Sequence, residues 1–231
     1  MNFVCKKLTI KNRKNTLLDI SFQIENSFAL VGQSGSGKSL TLKAILGMVP
    51  ENLDYSLDVS WEYELKKGKT VVMVPQNPFT SLSPLNKIKD NFFNSEEEIK
   101  GLLKMVGLEP EFADRFPSEL SGGQLQRAII AIAISHKPKL LLLDEPTTAL
   151  DSDSKDKILS LFKELREAYG FKILFVTHDI NSSRIICDKI GIIHKGKIVE
   201  QGDIEDILQN PKEDYTKKLI ESNFQNREFR R

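Results

Sequence analysis

The segment 32–39, GQSGSGKS, has the residue types and the spacing of a loop that binds phosphate. Its glycines allow successive backbone N–H groups to turn inward around the phosphates of a nucleotide. Lys38 adds a positive charge there, and the hydroxyl of Ser39 can bind Mg²⁺. The alternative interpretation is an ordinary glycine-rich turn. The predicted nucleotide-binding residues are Gly32, Gln33, Ser34, Gly35, Ser36, Gly37, Lys38, Ser39 and Leu40.

A second stretch, 118–130 with the sequence SELSGGQLQRAII, also has the composition of an anion site. Two glycines follow a serine and precede a predicted helix, and the N–H groups at a helix N-terminus attract anions. Its predicted binding residues are Ser121, Gly122, Gly123 and Gln124. Because one phosphate loop suffices for one nucleotide, the second stretch raises the question of why a single domain contains both.

Acidic and polar side chains follow several apolar runs that are predicted to be strands. Asp144 and Glu145 come after four leucines, so Asp144 can hold Mg²⁺ directly or through water while Glu145 acts as general base on an attacking water. His178 ends the run FVTH, where an imidazole can contact the γ-phosphate or that water. Gln76 follows the run TVVMVP, where its amide can reach Mg²⁺ or water. With the phosphate loop, these residues favour nucleotide hydrolysis over a purely structural role.

The elements that position these residues alternate between strand and helix. The apolar segment 27–32 is a predicted buried strand, and a helix from Lys38 to Leu46 follows it. After the second stretch come a helix, an apolar strand, a helix from Ser154 to Tyr169, a further strand and a further helix. This alternation predicts a parallel sheet covered by helices on both faces.

Other segments are predicted to lie around this core. The alternating strand 57–65 and the run 70–76 predict a hairpin, and a second hairpin is predicted at 189–202. Residues 76–134 look like a helical insertion, in which Ser95 and Glu98 form a capping box. A helix is expected near Ile204 to Gln209, and the polar residues 221–231 are expected to be frayed. We expect the whole chain, 1–231, to be a single domain.

Bulk composition excludes several classes of protein. Lys and Arg number 33 and Asp and Glu 32, so the net charge of +1 predicts no nucleic-acid partner. Cys5 and Cys187, without a CxxC pair, fit a reducing cytosol and small semi-buried thiols, not disulfides or zinc. The N-terminus lacks the pattern of a signal peptide, and the apolar runs are too short to span a bilayer. We therefore expect any role at a membrane to require a partner.

With these motifs in hand, the sequence resembles the ATPase subunits of ATP-binding-cassette (ABC) transporters over essentially its whole length. The resemblance rests on the phosphate loop, Gln76, the signature LSGGQ at 120–124, LLLLDE at 140–145, TALD at 148–151 and His178, in the order of the family. It implies an α/β P-loop NTPase fold with an antiparallel β subdomain and a helical insertion. It further implies ATP and Mg²⁺ as ligands, Ser39, Gln76 and Asp144 around Mg²⁺, Glu145 and His178 as catalytic residues, and Asp151 in the loop after the strand.

The resemblance also implies an assembly. Two ATPases meet head to tail, so that Ser121, Gly122, Gly123 and Gln124 of one act on the ATP held by the other. The segments VGQSGSGKSLTLKAILGMVP (31–50) and PQNPFTSLSPL (75–85) look like the peptide and nickel importer branch. Both are closest to nickel-import ATP-binding subunits, which favours nickel over di- or oligopeptides as cargo. Such a subunit works at the cytoplasmic face of the cell membrane beside a second, non-identical ATPase, two transmembrane permeases and, indirectly, an extracytoplasmic binding protein.

The sequence departs from the family at the adenine site. Where the family commonly has an aromatic residue before the phosphate loop, this chain has IKNRKN, in which Arg13 could stack on the base instead. Two other functions stay open at this stage. One is a soluble ABC ATPase of DNA repair or translation, and the other is a regulatory module that binds nucleotide without hydrolysing it.

Overall fold

The computed structural model describes residues 1–148 and 150–228, and within them the chain forms nine strands and seven α-helices. The strands are β1 (Phe3–Asn12), β2 (Asn15–Ile24), β3 (Ser27–Val31), β4 (Asp54–Ser60), β5 (Val71–Val74), β6 (Leu140–Asp144), β7 (Lys172–Thr177), β8 (Lys189–His194) and β9 (Lys197–Asp203). The helices are α1 (Lys38–Ile45), α2 (Glu96–Met105), α3 (Gly122–Ser135), α4 (Ser152–Tyr169), α5 (Ile180–Ile186), α6 (Ile204–Gln209) and α7 (Asp214–Glu228).

A six-stranded sheet in the order β5-β6-β7-β3-β8-β9 forms the centre of the molecule. All neighbouring strands are parallel except β8 and β9, which form the predicted antiparallel hairpin. The carboxyl ends of β3, β5, β6 and β7 therefore open at one edge, and each leads into one of the motifs predicted from sequence. In open α/β sheets this edge is where ligands bind.

The core lies on both faces of this sheet because successive side chains of a strand point to opposite sides. Leu141 and Leu143 of β6 pack with α3, α4 and α5 in one cluster. Leu140 and Leu142 pack in the other, together with α1 and a second sheet. A strand that is buried on both faces has no polar alternation, which explains the run of four leucines.

The second sheet is antiparallel, in the order β2-β1-β4, and it corrects one prediction. The segments expected to form a hairpin, β4 and β5, lie in different sheets: β4 pairs with β1, and β5 pairs with β6. The side-chain patterns give the reason. Leu57 and Val59 of β4 alternate with exposed residues, as suits a strand with one buried face, whereas β5 is apolar throughout and fits a sheet covered on both sides.

Between β5 and β6 the chain is helical. It contains α2, α3 and four short 3₁₀ turns, at Pro78–Thr80, Ile88–Asn91, Pro110–Asp114 and Pro117–Glu119. Ser95 caps α2 and accepts the N–H of Glu98, whose carboxylate accepts the N–H of Ser95 in return, as predicted. Helix α3 packs against β5, which is an edge strand of the main sheet.

The C-terminal segment 221–231, which the sequence predicts to be frayed, is described in part. Residues 221–228 continue α7, and residues 229–231 lie outside the described part of the chain. Leu219 and Ile220 are buried in the core, and Asn223 donates to the carbonyl of Leu219 at 2.9 Å. Burial of one face stabilises a helix whose sequence is polar elsewhere. Among the helices of the described residues, none has the length and apolar character needed to cross a bilayer.

Candidate nucleotide-binding site

The phosphate loop connects β3 to α1, and its backbone conformation depends on glycine. Gly35 and Gly37 have φ of 77° and 111°, in the left-handed region that other residues rarely adopt. A Cβ on Gly32 would lie 2.3 Å from the backbone oxygen of Ile193 in β8. Gly37 is the N-cap of α1 and has no side chain to accept the N–H groups of the first turn, which therefore remain suited to an anion.

The same loop contains a buried hydroxyl that has no partner. The Oγ of Ser36 is fully buried and makes no hydrogen bond with any described residue. Buried polar atoms are normally satisfied, so an unpaired one in a loop of this geometry is consistent with a ligand that supplies the missing partner. The loop thus fits the phosphates of a nucleotide.

Lys38 lies within this loop and is almost fully buried, with 6% of its side chain exposed. Its Nζ donates to the carbonyls of Gly32 at 2.7 Å and Gln33 at 3.0 Å and lies 3.8 Å from Oε1 of Glu145. Burial lowers the pKa of Lys38, and the negative charge of Glu145 partly offsets this effect. The lysine is thus held in place as a positive charge with an adjacent anion to balance it.

Two predicted magnesium ligands are in contact. The hydroxyl of Ser39 donates to Oδ1 of Asp144 at 3.1 Å, and burial raises the pKa of Asp144. The described residues contain no cluster of three or more His, Cys, Asp or Glu that could hold a metal. Mg²⁺ suits such a site because it commonly binds one or two protein oxygens and completes its coordination with phosphates and water.

Glu145 is the point at which four site residues converge. Its Oε2 lies 2.9 Å from Nδ1 of His178 and accepts from Thr148 at 3.2 Å and from Gln76 at 3.4 Å. Its Oε1 faces Lys38. The sequence predicted Lys38, Gln76 and His178 as residues of a nucleotide site with Glu145, and the structure brings them together around its carboxylate.

Glu145 and His178 shift each other's pKa. The hydrogen bond from His178 lowers the pKa of Glu145, and the hydrogen bond to Glu145 raises the pKa of His178. The backbone of Glu145 has φ of 46°, unusual for a residue with a side chain, and its N–H donates to the carbonyl of Val176 at 2.9 Å. Strained conformations of this kind cluster at functional sites.

Thr148 begins the TALD motif, but the sequence did not predict a role for it at the site. Its hydroxyl donates to both the carboxylate and the backbone carbonyl of Glu145, each at 3.2 Å. The signal in the sequence was the spacing, because Thr or Ser three residues after an acidic strand end commonly turns back to bond it. Thr148 therefore joins the residues that orient the carboxylate.

The remaining predicted residues lie elsewhere. Ser121 is the N-cap of α3 and forms a capping box with Gln124, while Gly122 and Gly123 occupy the first turn. In the part of the chain that the structure describes, no hydrogen bond or ion pair joins 121–124 to the phosphate loop. Asp151 caps α4 by accepting the N–H of Ser154 at 3.0 Å, and Ala149, two residues before it, lies outside the described residues. Arg13 is exposed in the turn between β1 and β2.

Comparison with known proteins supports the same interpretation. The family model described as ABC transporter matches residues 17–148, more than half of the chain. A solved structure described as the ATP-binding subunit of an ABC transporter superposes with a TM-score of 0.74 at 25% identity, covering 90% of this chain and 92% of that one. The predicted α/β nucleotide-binding fold is thereby confirmed.

Relatives in sequence have related descriptions. The peptidoglycan transport ATP-binding protein YejF of Agrobacterium fabrum is 37% identical over 219 residues, 83% of this chain and 40% of the relative. The oligopeptide transport ATP-binding protein OppD of Lactococcus lactis subsp. cremoris is 34% identical over 232 residues, 89% of this chain and 69% of the relative. OppF of Lactococcus lactis subsp. lactis is 37% identical over 222 residues, 88% and 70% of the two chains.

The chain thus spans 40% of the length of the peptidoglycan relative and 69–70% of the two oligopeptide relatives. The residues that the family model matches, 17–148, include the phosphate loop, the LSGGQ segment and the acidic strand end. The protein belongs to the ABC transporter family and comprises its ATP-binding domain.

Proposed function

We propose that this chain hydrolyses ATP and couples hydrolysis to uptake of a solute through a membrane ABC importer. The observation that carries the proposal is the convergence of Lys38, Asp144, Glu145 and His178 at one edge of the sheet, beside a loop shaped for phosphate. Lys38 and the N–H groups of α1 bind the phosphates. Glu145 accepts the proton of the attacking water, and His178 and Thr148 orient its carboxylate.

Ser39 and Asp144 would hold Mg²⁺ together with the phosphates, and Gln76 is a further candidate ligand whose amide nitrogen faces Glu145. When bound, the ion neutralises charge that develops on the phosphates. The side chains around it would fix where the phosphates lie. Lys38 and Glu145 place a positive and a negative charge 3.8 Å apart at this edge of the sheet.

We propose further that two ATPases meet head to tail, so that 121–124 of one chain completes the site at 32–39 of the other. Segments 32–39 and 121–124 each consist of small residues at a helix N-terminus, where backbone N–H groups attract anions. One nucleotide could therefore contact both segments. The partners we propose are a second, non-identical ATPase and two transmembrane permeases, with an extracytoplasmic binding protein acting indirectly. The chain would then lie peripherally at the cytoplasmic face of the membrane.

The cargo we propose is a di- or oligopeptide or a nickel ion. The relatives described above carry oligopeptide or peptidoglycan in their names, which favours a peptide over the nickel predicted from sequence. A deletion strain decides between them: failure to grow on peptides as the amino-acid source supports peptide uptake. Loss of nickel accumulation, with normal growth on peptides, supports nickel uptake.

The hydrolytic role is tested by replacing the base. We expect Glu145→Gln to bind ATP but to release phosphate at least about a hundredfold more slowly, because general-base catalysis contributes about 10²–10⁴. Glu97→Gln, at an exposed carboxylate on α2, is the matched control and should retain wild-type turnover. Near-normal phosphate release by Glu145→Gln would overturn the assignment of Glu145 as the general base.

The same assays separate the alternative functions. A wild-type chain that binds but does not hydrolyse ATP would indicate a regulatory module. Co-purification with ribosomes or DNA in place of membrane subunits would indicate a soluble ABC ATPase.

A further inference from the structure

Helix α7 contacts the phosphate loop through Tyr215. The hydroxyl of Tyr215 accepts the N–H of Gln33 at 3.4 Å, a long and therefore weak hydrogen bond. Its ring stacks on the imidazole of His194 at the end of β8, with ring centroids 3.9 Å apart and planes 29° from parallel. The stacked ring therefore holds Tyr215 against β8, and its hydroxyl contacts the phosphate loop at Gln33.

The same helix contacts the segment that carries His178. Oδ1 of Asn223 accepts the N–H of Ile180, the first residue of α5, at 3.4 Å. Its Nδ2 donates to the carbonyl of Leu219 at 2.9 Å, which fixes the orientation of the amide. Tyr215 and Asn223 are eight residues apart, so the two contacts lie about 12 Å apart along the helix axis.

The start of α7 is fixed to the sheet. Glu200 of β9 is buried, and its carboxylate accepts the N–H groups of Lys212 at 2.9 Å and Glu213 at 3.2 Å, immediately before the helix. Thr216 is fully buried, and Leu219 and Ile220 belong to the core. Because α7 is held at its N-terminus and along one face, a displacement at one end of the helix moves the other end with it.

We propose that α7 sets the spacing between the phosphate loop and the His178 segment, with Tyr215 and Asn223 as positioning residues for the hydrolytic site. The proposal rests on the function proposed above, because it concerns the site that binds ATP. The phosphates lie on the loop, whereas the base and its histidine lie at the ends of β6 and β7. A small change in this spacing separates the water from the γ-phosphate, and misplacement by about 1 Å can cost about a hundredfold in rate.

The first test uses backbone amide exchange in ¹⁵N-labelled protein without nucleotide. We expect Tyr215→Phe, which keeps the ring on His194, to accelerate exchange at Gln33. Asn223→Ala should accelerate exchange at Ile180. Ser222→Ala is the matched control, since its hydroxyl donates to the same Leu219 carbonyl at 2.9 Å. The proposal would be overturned if exchange at Gln33 were unchanged in Tyr215→Phe and exchange at Ile180 were unchanged in Asn223→Ala.

The second test measures ATP affinity and turnover. We expect Tyr215→Ala to weaken ATP binding about 3- to 30-fold and to lower kcat as well, within the range of long-range coupling. Tyr215→Phe should weaken ATP binding by about twofold only, because it removes one weak hydrogen bond. Tyr169→Ala, on α4 with its hydroxyl on Met105, is the control and should retain wild-type affinity.

A folded Tyr215→Ala with wild-type affinity and kcat would overturn the positioning role. If Tyr215→Ala does not fold, Asn223→Ala decides the question: faster exchange at Ile180 together with lowered kcat would support the positioning role, and wild-type kcat would overturn it. A wild-type chain that binds no ATP would overturn the proposed function, and the exchange measurements, made without nucleotide, would still test α7.

Discussion

Nδ1 of His178 lies 2.9 Å from Oε2 of Glu145, so the proposed base and the histidine of the neighbouring strand form one hydrogen-bonded pair. The pair bridges the ends of β6 and β7, which are adjacent strands of the sheet. Thr148 and Gln76 donate to the same oxygen. In the chain without nucleotide, the carboxylate is therefore already engaged, and it has to exchange one of these donors for the attacking water.

The pair predicts a pH-dependent contribution to stability. The pKa of His178 is raised above its ordinary value of 6.5, so its contribution is complete below pH 6.5 and is lost as the pH rises through the raised value. The pKa of Glu145 is lowered below 4.5, so its contribution is present above pH 4.5 and is lost as the pH falls through the lowered value. Both contributions are present between pH 4.5 and 6.5.

We therefore expect His178→Ala to cost more unfolding free energy near pH 6 than near pH 9, by less than about 1 kcal/mol because the exposed imidazole is screened by solvent. Urea denaturation at both pH values measures the difference. His136→Ala, at a histidine whose ring lies against Phe93, should show no comparable change. A cost for His178→Ala that rose with pH would contradict the assignment of the ion pair.

The turn between β8 and β9 supports the phosphate loop and predicts a steric effect. Gly196 has φ of 76°, its N–H donates to the carbonyl of Ser36 at 3.1 Å, and a Cβ there would lie 2.1 Å from the carbonyl oxygen of Leu17. Gly68 has a similar φ of 72° and open space around it. The two glycines thus differ in steric contact but not in backbone conformation.

We expect Gly68→Ala to destabilise the chain by about 1–2 kcal/mol, the cost of the left-handed conformation. Gly196→Ala should cost about 1–3 kcal/mol more because its methyl group has to displace backbone. It should also weaken ATP binding through Ser36. Chemical denaturation measures the loss of stability, and ATP titration measures the loss of affinity. An equal loss of stability in the two variants would show that a methyl group at position 196 does not clash with β2.

The head-to-tail arrangement predicts an effect in trans. Ser121→Arg would place a bulky cation at the start of α3, far along the chain from the phosphate loop of the same subunit. We expect the isolated subunit to retain its ATP affinity, while hydrolysis in the site completed by 121–124 falls by about a hundredfold, the typical effect of a lost donor at a reacting oxygen. Single-turnover hydrolysis in assembled dimers measures this.

The control separates capping from contact with nucleotide. Ser95 caps α2 with the same capping box that Ser121 makes on α3. Ser95→Arg should lose about 1 kcal/mol of stability, as Ser121→Arg does, but keep hydrolysis. Reduced ATP binding by the isolated Ser121→Arg subunit, or equal loss of hydrolysis in both variants, would contradict the assignment in trans.

Much of the site could be predicted because strand ends and glycine loops have local signatures. The phosphate loop, Asp144, Glu145 and His178 each follow an apolar run, and parallel strands bring such ends to one edge. The pairing of β4 was predicted wrongly, since the nearest apolar strand in sequence is not its neighbour in space. Thr148 was missed because a hydroxyl three residues from a carboxylate has many ordinary uses.

The sequence by itself determined the local conformations: glycine at positive φ, a capping serine and alternating or continuous apolar runs act over a few residues. Only the tertiary structure decided which of these segments meet. Tyr215 lies 182 residues from Gln33 along the chain, and their contact depends on the packing of α7 against β8 and β9. Contacts of this kind depend on burial in a shared core, which no short segment specifies alone.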